Sequence, residues 1–435
     1  MGKKTLVACA VAAIGILYVY VRSAGPYDYS KHLKSSYFGP GERRPDDEAV
    51  KPFQVKTTDG ELQDLKQRLK NQGVRDYWLN KFDWKERVKQ LNKHNHFKTE
   101  IEGLNVHFVH VKPENPKKKR VVPILIAHGW PGSVYEFYKL IPLLTDAKAG
   151  KDVVFEVVAP SIPGYGWSDA PQKPGLAAFA TARLYSKLME RLGHKRYMVQ
   201  GGDFGAMIGT AMTTMFPGNV CGLHFNMPII GPQDYPGLVL KIIGEALLPK
   251  WGIAVDPKDY DKFFPLTEFF GGIFKELGYA FIQGTKPDTV GFGLNDSPMA
   301  LAAYVLEKFS TWTNRAYVQR PDGGLLDHWS MDELLTNVMI YWTTASMPSS
   351  QRFYKELSAE FEELNALFAL PVATPTGASV QPHELFGRDP KNFLEYKYSN
   401  LTRYVDLPSG GHFIAFEQPE LLAKELHAFV ETTAC

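Results

Sequence analysis

The hydrophobic and polar positions of the chain switch repeatedly between two spacings. Residues 121–127, 153–159 and 221–227 are short apolar runs with the length and β-branched content of buried strands. Residues 177–192, by contrast, place their apolar side chains at helical spacing. Strands that alternate with helices predict a mostly parallel sheet with helices on both faces. The expected fold class is therefore α/β.

The pattern before this region predicts two further parts. Residues 5–21 are almost unbroken in apolar character and have lysine before and arginine after them, which favours a membrane anchor over residues 1–24 rather than a cleaved signal peptide. Residues 25–100 predict a linker and a helical extension, with helices at 59–70 and 77–92. Residues 97–112 predict a β-hairpin that turns at Glu102 and Gly103.

After residue 227 the strand and helix alternation stops. Residues 228–345 are rich in aromatic residues, glycine and proline, with helical pieces, and predict an α-helical lid. The lid would divide the α/β core into a first part, 101–227, and a second part, 346–435. In the second part, residues 370–374 and 404–407 are predicted strands, and residues 419–430 are a predicted helix.

One stretch carries the main chemical signal, Gly201-Gly202-Asp203-Phe204-Gly205. It lies between a predicted strand and a predicted helix, and its glycines stand two before and two after Asp203. This spacing is typical of a nucleophile elbow, in which the central residue adopts a strained turn. A carboxylate is already ionised at neutral pH and needs no base to activate it. Asp203 is therefore the candidate nucleophile for attack on an electrophilic carbon, while an ordinary Gly-Asp turn is the alternative.

The other catalytic groups are expected at the ends of neighbouring strands. His412 follows two glycines after the last strand, and the order nucleophile, acid, histidine suits an α/β hydrolase. Glu384 is the candidate acid, and Asp389 and Asp234 are rivals. The turn at residues 128–132 and the residue after the nucleophile, Phe204, can present backbone N–H groups as an oxyanion hole. His128 itself is expected to be structural.

Composition narrows the function further. The chain has 435 residues, of which 44% are hydrophobic and 22% charged, and its net charge of +2 gives no reason to expect a nucleic-acid partner. Its three cysteines are too few and too scattered for a disulfide framework or a metal site. Since no CxxC or HExxH motif is present, neither a metal nor another cofactor is expected, and no obligate protein partner is evident.

These motifs together resemble the microsomal epoxide hydrolases and their relatives, the insect juvenile hormone epoxide hydrolases. The resemblance is carried by residues 128–132 (HGWPG), 201–205 (GGDFG) and 410–413 (GGHF), and it extends over nearly the whole chain. It implies an α/β-hydrolase fold, an endoplasmic-reticulum membrane anchor, no cofactor, and hydrolysis of lipophilic epoxides to diols. Basic residues after the apolar run favour a cytosolic catalytic domain.

The resemblance also implies residue roles. Tyr279 and Tyr354 match two lid tyrosines that donate to the epoxide oxygen, Glu384 matches the acid that orients His412, and Trp130 joins Phe204 as an oxyanion-hole donor. One departure is Phe204, where the family usually has tryptophan; it leaves the backbone donor in place and puts substrate preference in doubt. Haloalkane dehalogenation and a non-catalytic, membrane-tethered scaffold are the alternative functions. The former would need a side-chain N–H donor that phenylalanine lacks.

Overall fold

A nine-stranded sheet forms the centre of the protein in the computed structural model, which describes residues 30–69, 76–116, 118–147, 151–228, 230, 235–385 and 389–435. The spatial order of the strands is β1-β2-β3-β5-β4-β6-β7-β8-β9. Strands β4 to β9 are parallel, and β1, β2 and β3 extend the sheet antiparallel beyond β5. The strands are β1 (Lys51–Phe53), β2 (His96–Ile101), β3 (Leu104–Val111), β4 (Arg120–Ala127), β5 (Val153–Pro160), β6 (Tyr197–Gly201), β7 (Val220–Phe225), β8 (Thr376–Val380) and β9 (Leu401–Asp406).

Helices cover both faces of this sheet. Alternate residues of β4 enter two separate hydrophobic clusters: Leu125 packs with helices α6 and α7 on one face, and Ile124 packs with α5 and α19 on the other. The predicted α/β-hydrolase fold is therefore confirmed. The helices outside the lid are α1 (Ser30–Leu33), α2 (Asp59–Leu69), α3 (Asp76–Asn80), α4 (Trp84–Leu91), α5 (Leu140–Thr145), α6 (Ala178–Arg191), α7 (Phe204–Met215), α17 (Lys391–Leu394), α18 (Ile414–Glu417) and α19 (Pro419–Val430).

Between β7 and β8 the described part of the chain forms helices joined by turns and loops, and it contains no strand. Helix α15 packs against α11 and α12, so that it joins the helices of the lid. Helix α14 instead reaches the core, where the Asn337 side chain donates to the Pro131 carbonyl oxygen at 2.9 Å. These helices are α8 (Pro236–Leu247), α9 (Tyr260–Phe263), α10 (Leu266–Glu276), α11 (Gly278–Thr285), α12 (Pro287–Asp296), α13 (Pro298–Thr311), α14 (Met331–Thr343), α15 (Met347–Ala359) and α16 (Phe361–Ala369).

Two elements differ from the expectation. The helix expected at residues 77–92 is two helices, because the Asp83 side chain caps a new start by accepting from the Glu86 N–H at 3.2 Å. The strand expected at residues 370–374 is only a single bridge at Val372, and the true strand is β8. Its small residues mislead a hydrophobic pattern: a methyl group on Gly377 would lie 2.7 Å from the Phe429 ring, so helix α19 leaves no room for larger side chains.

The cysteines, which were expected to be too few for a disulfide framework, nevertheless form one disulfide among the described residues. Cys221 in β7 and Cys435 at the chain end are bonded, with their Cα atoms 5.3 Å apart. Sequence could not show this pairing across a separation of 214 residues. It arises because α19 returns the chain end to the edge of β7, where Thr433 lies against Gly222.

None of the helices in the described part of the chain is long and apolar enough to cross a bilayer. The expected anchor, residues 1–24, lies outside the described residues.

Candidate active site

Asp203 lies with Gly202 in the short turn between a strand and a helix. Strand β6 ends at Gly201 and α7 begins at Phe204, and Asp203 adopts φ 48° and ψ −129°, which is a strained conformation for a residue with a side chain. The surrounding glycines are required by space. A methyl group on Gly201 would lie 2.3 Å from the Gly205 carbonyl carbon, and one on Gly205 would lie 2.1 Å from the oxygen of Ala127. The bend therefore has the tight packing expected of a nucleophile elbow.

Backbone N–H groups flank the Asp203 carboxylate. The Trp130 N–H donates to Asp203 Oδ1 at 2.9 Å. Gly129 permits this approach, since a methyl group there would lie 2.1 Å from the same oxygen. The Phe204 N–H is at the first position of α7, where the helix itself supplies no acceptor. Both residues predicted to form the oxyanion hole thus lie beside the carboxylate.

His412 lies between two carboxylates. Its Nε2 is 3.5 Å from Asp203 Oδ2, and its Nδ1 is 2.9 Å and 3.1 Å from the two carboxylate oxygens of Glu384. All three side chains are largely buried, with exposures of 4% for His412, 15% for Asp203 and 0% for Glu384. The geometry therefore joins nucleophile, histidine and acid in one line, and Glu384 is the partner of Nδ1 rather than its rival Asp389. The other rival, Asp234, lies outside the described residues.

The carboxylates control the charge of His412. Burial disfavours the imidazolium, but Glu384 and Asp203 outweigh that effect and raise the pKa of His412 well above its usual value. The ring is consequently protonated when both carboxylates are ionised. Any chemistry that removes the charge of Asp203 would lower the pKa of His412 and release a base.

Sequence reasoning missed Glu417, which holds the turn that carries His412. Its carboxylate accepts from the Gly411 N–H at 2.8 Å and from the Phe413 N–H at 2.9 Å. Burial raises the pKa of Glu417 to about 8 in spite of these bonds. No sequence signal marks this residue, because its partners are backbone groups on a turn whose shape is visible only in the fold.

Tyr279 and Tyr354 meet above Asp203. Tyr279 is on α11 and Tyr354 is on α15, and their ring centroids are 5.7 Å apart in an edge-to-face arrangement. Burial, with Asp203 as a further cause, raises the pKa of both phenols far above the ordinary range, so they remain protonated donors. The Tyr354 hydroxyl interacts with that of Tyr279, but the geometry falls short of a regular hydrogen bond, and the buried Tyr354 hydroxyl has no other partner among the described residues. A donor that is satisfied so poorly is costly unless a ligand completes its bonding.

Aromatic rings form the rest of the wall. The Trp130 ring stacks on Tyr279 with centroids 5.1 Å apart, and the Phe204 ring lies 4.7 Å from both Phe353 and Tyr354. Phe204, which replaces the tryptophan usual in the family, thus supports the ring of Tyr354. The wall on the side of the lid is therefore aromatic around the two hydroxyl groups.

His128 has the structural role that was expected for it. Its Nδ1 donates to the Gly129 carbonyl oxygen at 3.0 Å, and its Nε2 accepts from the Ile162 N–H at 3.1 Å. Burial lowers the pKa of His128 to about 4, so the ring is neutral and both nitrogens are occupied. It joins the loop that bears Trp130 to the loop that follows β5.

Within the described residues, one group could coordinate a metal ion, namely His110, Glu156 and His194. His110 Nε2 lies 2.7 Å from Glu156 Oε1, His194 Nε2 lies 3.2 Å from it, and Lys112 Nζ lies 3.4 Å from it. The neighbouring lysine already supplies a positive charge to this carboxylate. His110, Glu156 and His194 are not among the residues that contact Asp203. That the protein needs no metal therefore remains a prediction.

Comparisons with known proteins agree with this site. The family model described as "Epoxide hydrolase N terminus" matches residues 70–137, and the one described as "alpha/beta hydrolase fold" matches residues 122–252. Epoxide hydrolase 1 of Sus scrofa is 44% identical over 92% of this chain and 92% of that protein. Juvenile hormone epoxide hydrolase 1 of Ctenocephalides felis is 40% identical over 99% of this chain and 96% of that protein.

A solved structure gives the same answer. The crystal structure of juvenile hormone epoxide hydrolase from the silkworm Bombyx mori superposes with a TM-score of 0.86 at 41% identity, and it covers 92% of this chain and 98% of that one. The resemblance seen in the motifs is therefore confirmed over nearly the full length. The chain belongs to the epoxide hydrolase family of α/β hydrolases, together with epoxide hydrolase 1 and the juvenile hormone epoxide hydrolases.

Proposed function

We propose that the chain hydrolyses lipophilic epoxides in two steps, with Asp203 as the nucleophile. The observation that supports this most directly is the line of Asp203, His412 and Glu384, with His412 Nε2 at 3.5 Å from Asp203 Oδ2. In the first step Asp203 attacks a ring carbon and forms an alkyl ester. The second step is hydrolysis of that ester by water.

The two lid tyrosines would act in the first step. Opening the ring leaves an alkoxide, which is a poor leaving group unless a donor stabilises or protonates it. Tyr279 and Tyr354 are neutral donors above the carboxylate, and the hydroxyl of Tyr354 lacks another partner. An epoxide oxygen between them would satisfy that hydroxyl while a ring carbon faces Asp203.

His412 would act in the second step. Ester formation removes the negative charge of Asp203, which is one of the causes that raise the pKa of His412. The imidazolium therefore gives up its proton as the alkoxide, held by the tyrosine hydroxyls, takes one up. The neutral imidazole can then take a proton from water, while Glu384 stabilises the imidazolium that results. The N–H groups of Trp130 and Phe204 would stabilise the oxyanion that forms on the carboxyl group of Asp203.

The origin of the oxygen atoms tests this route. A single turnover with excess enzyme in heavy-oxygen water should label the carboxyl group of Asp203 and leave the diol unlabelled, as read by mass spectrometry of the peptide and the product. His412→Gln should accumulate the ester. A labelled diol with an unlabelled Asp203 would instead show direct attack of water on the epoxide.

An apolar wall suits a lipophilic substrate, and relatives named for juvenile hormone and relatives named simply epoxide hydrolase are about equally similar to this chain. Both a terpenoid epoxide ester and a xenobiotic styrene-type oxide therefore belong in a side-by-side comparison of kcat/KM. Chloride release from a chloroalkane is the control for dehalogenation, which the neutral tyrosine donors and Phe204 do not favour.

We also propose that residues 1–24 tether the domain to the endoplasmic-reticulum membrane, with the domain in the cytosol. Lys31 pairs with Glu363 at 2.7 Å, which brings the start of the described chain to α16, where Phe361 is 64% exposed. Exposed Phe274 and Phe281 of the lid contact each other with ring centroids 6.1 Å apart. Apolar side chains in such positions suit the vicinity of a bilayer.

The side of the membrane is testable. Disulfides such as Cys221–Cys435 are more common in oxidising compartments, so the lumen is the alternative that the test has to separate from the cytosol. Asn400 is an exposed glycosylation acceptor in the sequence Asn-Leu-Thr. Expression with microsomes followed by endoglycosidase treatment should leave the mobility of a cytosolic domain unchanged, whereas a mobility shift that Asn400→Gln abolishes would place the domain in the lumen.

A further inference from the structure

A small cavity lies behind the line of Asp203 and His412. The volume open to the centre of a water-sized sphere is about 20 Å³. A buried water needs roughly 10–15 Å³ by this measure and two to four polar partners, so the cavity has room for one water molecule. Four ionisable side chains line it, namely Asp203, His412, Glu136 and His128, whose two ring nitrogens are already occupied by backbone groups. The first two have roles in the proposed mechanism, and Glu136 has none.

The backbone directs Glu136 to this place. Glu136 belongs to the single 3₁₀ turn Val134–Phe137, which follows the loop that bears Trp130. Its carboxyl group occupies space that only glycine leaves open, because a methyl group on Gly132 would lie 1.4 Å from Glu136 Oε1. The Ser133 N–H stabilises the carboxylate, and no lysine or arginine among the described residues forms an ion pair with it.

The electrostatic surroundings of Glu136 match those of a group in the catalytic centre. Burial raises the pKa of Glu136 to about 8, the charge of Asp203 raises it further, and His412 opposes both. A carboxyl group without a cationic partner in such a place is costly to stability. Glu417 differs, since two backbone N–H groups hold its oxygens and give it a structural task.

Hydrolysis of the ester sets a geometric demand that His412 alone does not meet. The attacking water must donate one proton to His412 Nε2 and aim a lone pair at the carboxyl carbon of Asp203. A single hydrogen bond leaves the water free to rotate about it. A second acceptor on the other side of the cavity removes that freedom, and such orientation lowers the barrier to attack.

We propose that Glu136 is a positioning residue for the hydrolytic water, with its carboxyl oxygen accepting the O–H that His412 does not take. The inference rests on the proposed two-step mechanism. The water oxygen bonds to the carboxyl carbon of Asp203, and one proton moves to His412. The bond between that carbon and the ester oxygen then breaks, and the proton passes to the departing diol. Glu136 gains and loses no proton in this sequence.

The test separates the two steps by rapid mixing of excess enzyme with a styrene-type epoxide, followed by quenching and mass spectrometry of the Asp203 peptide. Glu136→Leu removes the acceptor, and Glu136→Gln keeps a carbonyl oxygen. We expect ester formation to stay within about twofold of the parent in both variants, because the first step uses no water. Ester hydrolysis should slow about 100-fold in the leucine variant and at most about tenfold in the glutamine variant.

Steady-state kinetics should show the same split. Because ester accumulates, kcat and KM should fall together in Glu136→Leu, whereas a structural defect would lower the rate of both steps. Glu360→Gln is the matched control. Burial raises the pKa of Glu360 to about 8 as well, its Oε2 has no hydrogen bond to any residue that the structure describes, and the residue does not line the cavity. It should leave both steps unchanged.

Three results are decisive. Parent-like ester hydrolysis in Glu136→Leu overturns the role of Glu136. The role is also overturned if ester formation and ester hydrolysis slow equally in both variants while thermal unfolding stays like that of the parent. Glu136 would then not act on the hydrolytic water. Failure of the parent protein to form any ester refutes the proposed function itself, and so remains distinguishable from failure of this inference.

Discussion

The change Tyr354→Phe should slow catalysis and stabilise the fold at the same time. The substitution removes one oxygen and keeps the ring that packs against Phe204 and Tyr279. The hydroxyl is buried, and its contact with the Tyr279 hydroxyl, which falls short of regular hydrogen-bond geometry, leaves it poorly satisfied among the described residues. An unsatisfied buried polar group costs about 1–3 kcal/mol, so its loss should raise the free energy of unfolding by about 1 kcal/mol.

Catalysis should respond in the opposite direction. Removal of one donor to a developing oxyanion typically costs about 2.7–4 kcal/mol, which corresponds to roughly 10²–10³ in rate. Tyr279 remains as the other donor, so the ester should still form, but more slowly. Single-turnover mixing measures that rate directly, and ester hydrolysis should change little because the tyrosines act on the ring oxygen.

Tyr185→Phe provides the matched control. Tyr185 is fully buried in α6, its hydroxyl also lacks a hydrogen bond among the described residues, and it does not touch Asp203 or the lid tyrosines. It should show the gain in unfolding temperature without the loss of rate. The reasoning is refuted if Tyr354→Phe forms ester as fast as Tyr185→Phe, or if only Tyr354→Phe loses stability.

Further changes test other parts of the site and fold. His412→Gln should form the ester and then hydrolyse it at least about 100-fold more slowly, so normal steady-state turnover would contradict its role as base. Gly205→Ala should abolish soluble, active protein, since its methyl group would lie 2.1 Å from a backbone oxygen of β4; a well-folded, active variant would refute the elbow packing. Cys435→Ala should lower the free energy of unfolding by about 2–4 kcal/mol, measured by denaturant titration against the same protein under reducing agent. Burial lowers the pKa of His128 to about 4 and that of His224 to about 3, so both are neutral when folded, while the unfolded chain takes up protons below about pH 6.5. Each of these histidines therefore contributes its full stability above that pH and should lose up to about 1.4 kcal/mol for each pH unit below it, whereas the raised pKa values of Glu136, Glu360 and Glu417 act in the opposite direction. The contribution of His224 is read from the difference between the parent and His224→Phe, and an equal change in unfolding midpoint from pH 7 to pH 5 in both proteins would contradict it.

The sequence predicted the parts of the site that depend on local geometry. The spacing of glycines around Asp203 indicates a bend because such packing excludes any side chain at positions 201 and 205. His412 is similarly marked by the glycines before it, where a methyl group on Gly411 would lie 2.5 Å from the Trp312 oxygen. Steric requirements of this kind can be predicted from the sequence, because they restrict the position to glycine.

Side chains whose roles depend on contacts with residues far away in the chain could not be identified in this way. Glu384 was only one of three acids until its contact with His412 fixed the choice. Glu136 and Glu417 went unnoticed, since their roles depend on a cavity and on backbone donors from remote turns. Tyr279 and Tyr354 were marked by family resemblance alone, because 21 tyrosines offer no pattern that separates two of them.

Trp130 contacts both the α/β core and the lid at the nucleophile. Its N–H meets Asp203, and its ring lies flat against Tyr279 of the lid. If α11 swings outward to let a bulky diol escape, it has to slide off this ring, while the backbone donor keeps its place. Aromatic pairs of this kind contribute only about 0.5–1.5 kcal/mol beyond their burial, so this one contact between lid and core costs little to break. Separation of the Trp130 and Tyr279 rings would then let the site accept and release bulky molecules. The Trp130 N–H would stay beside Asp203 during each release.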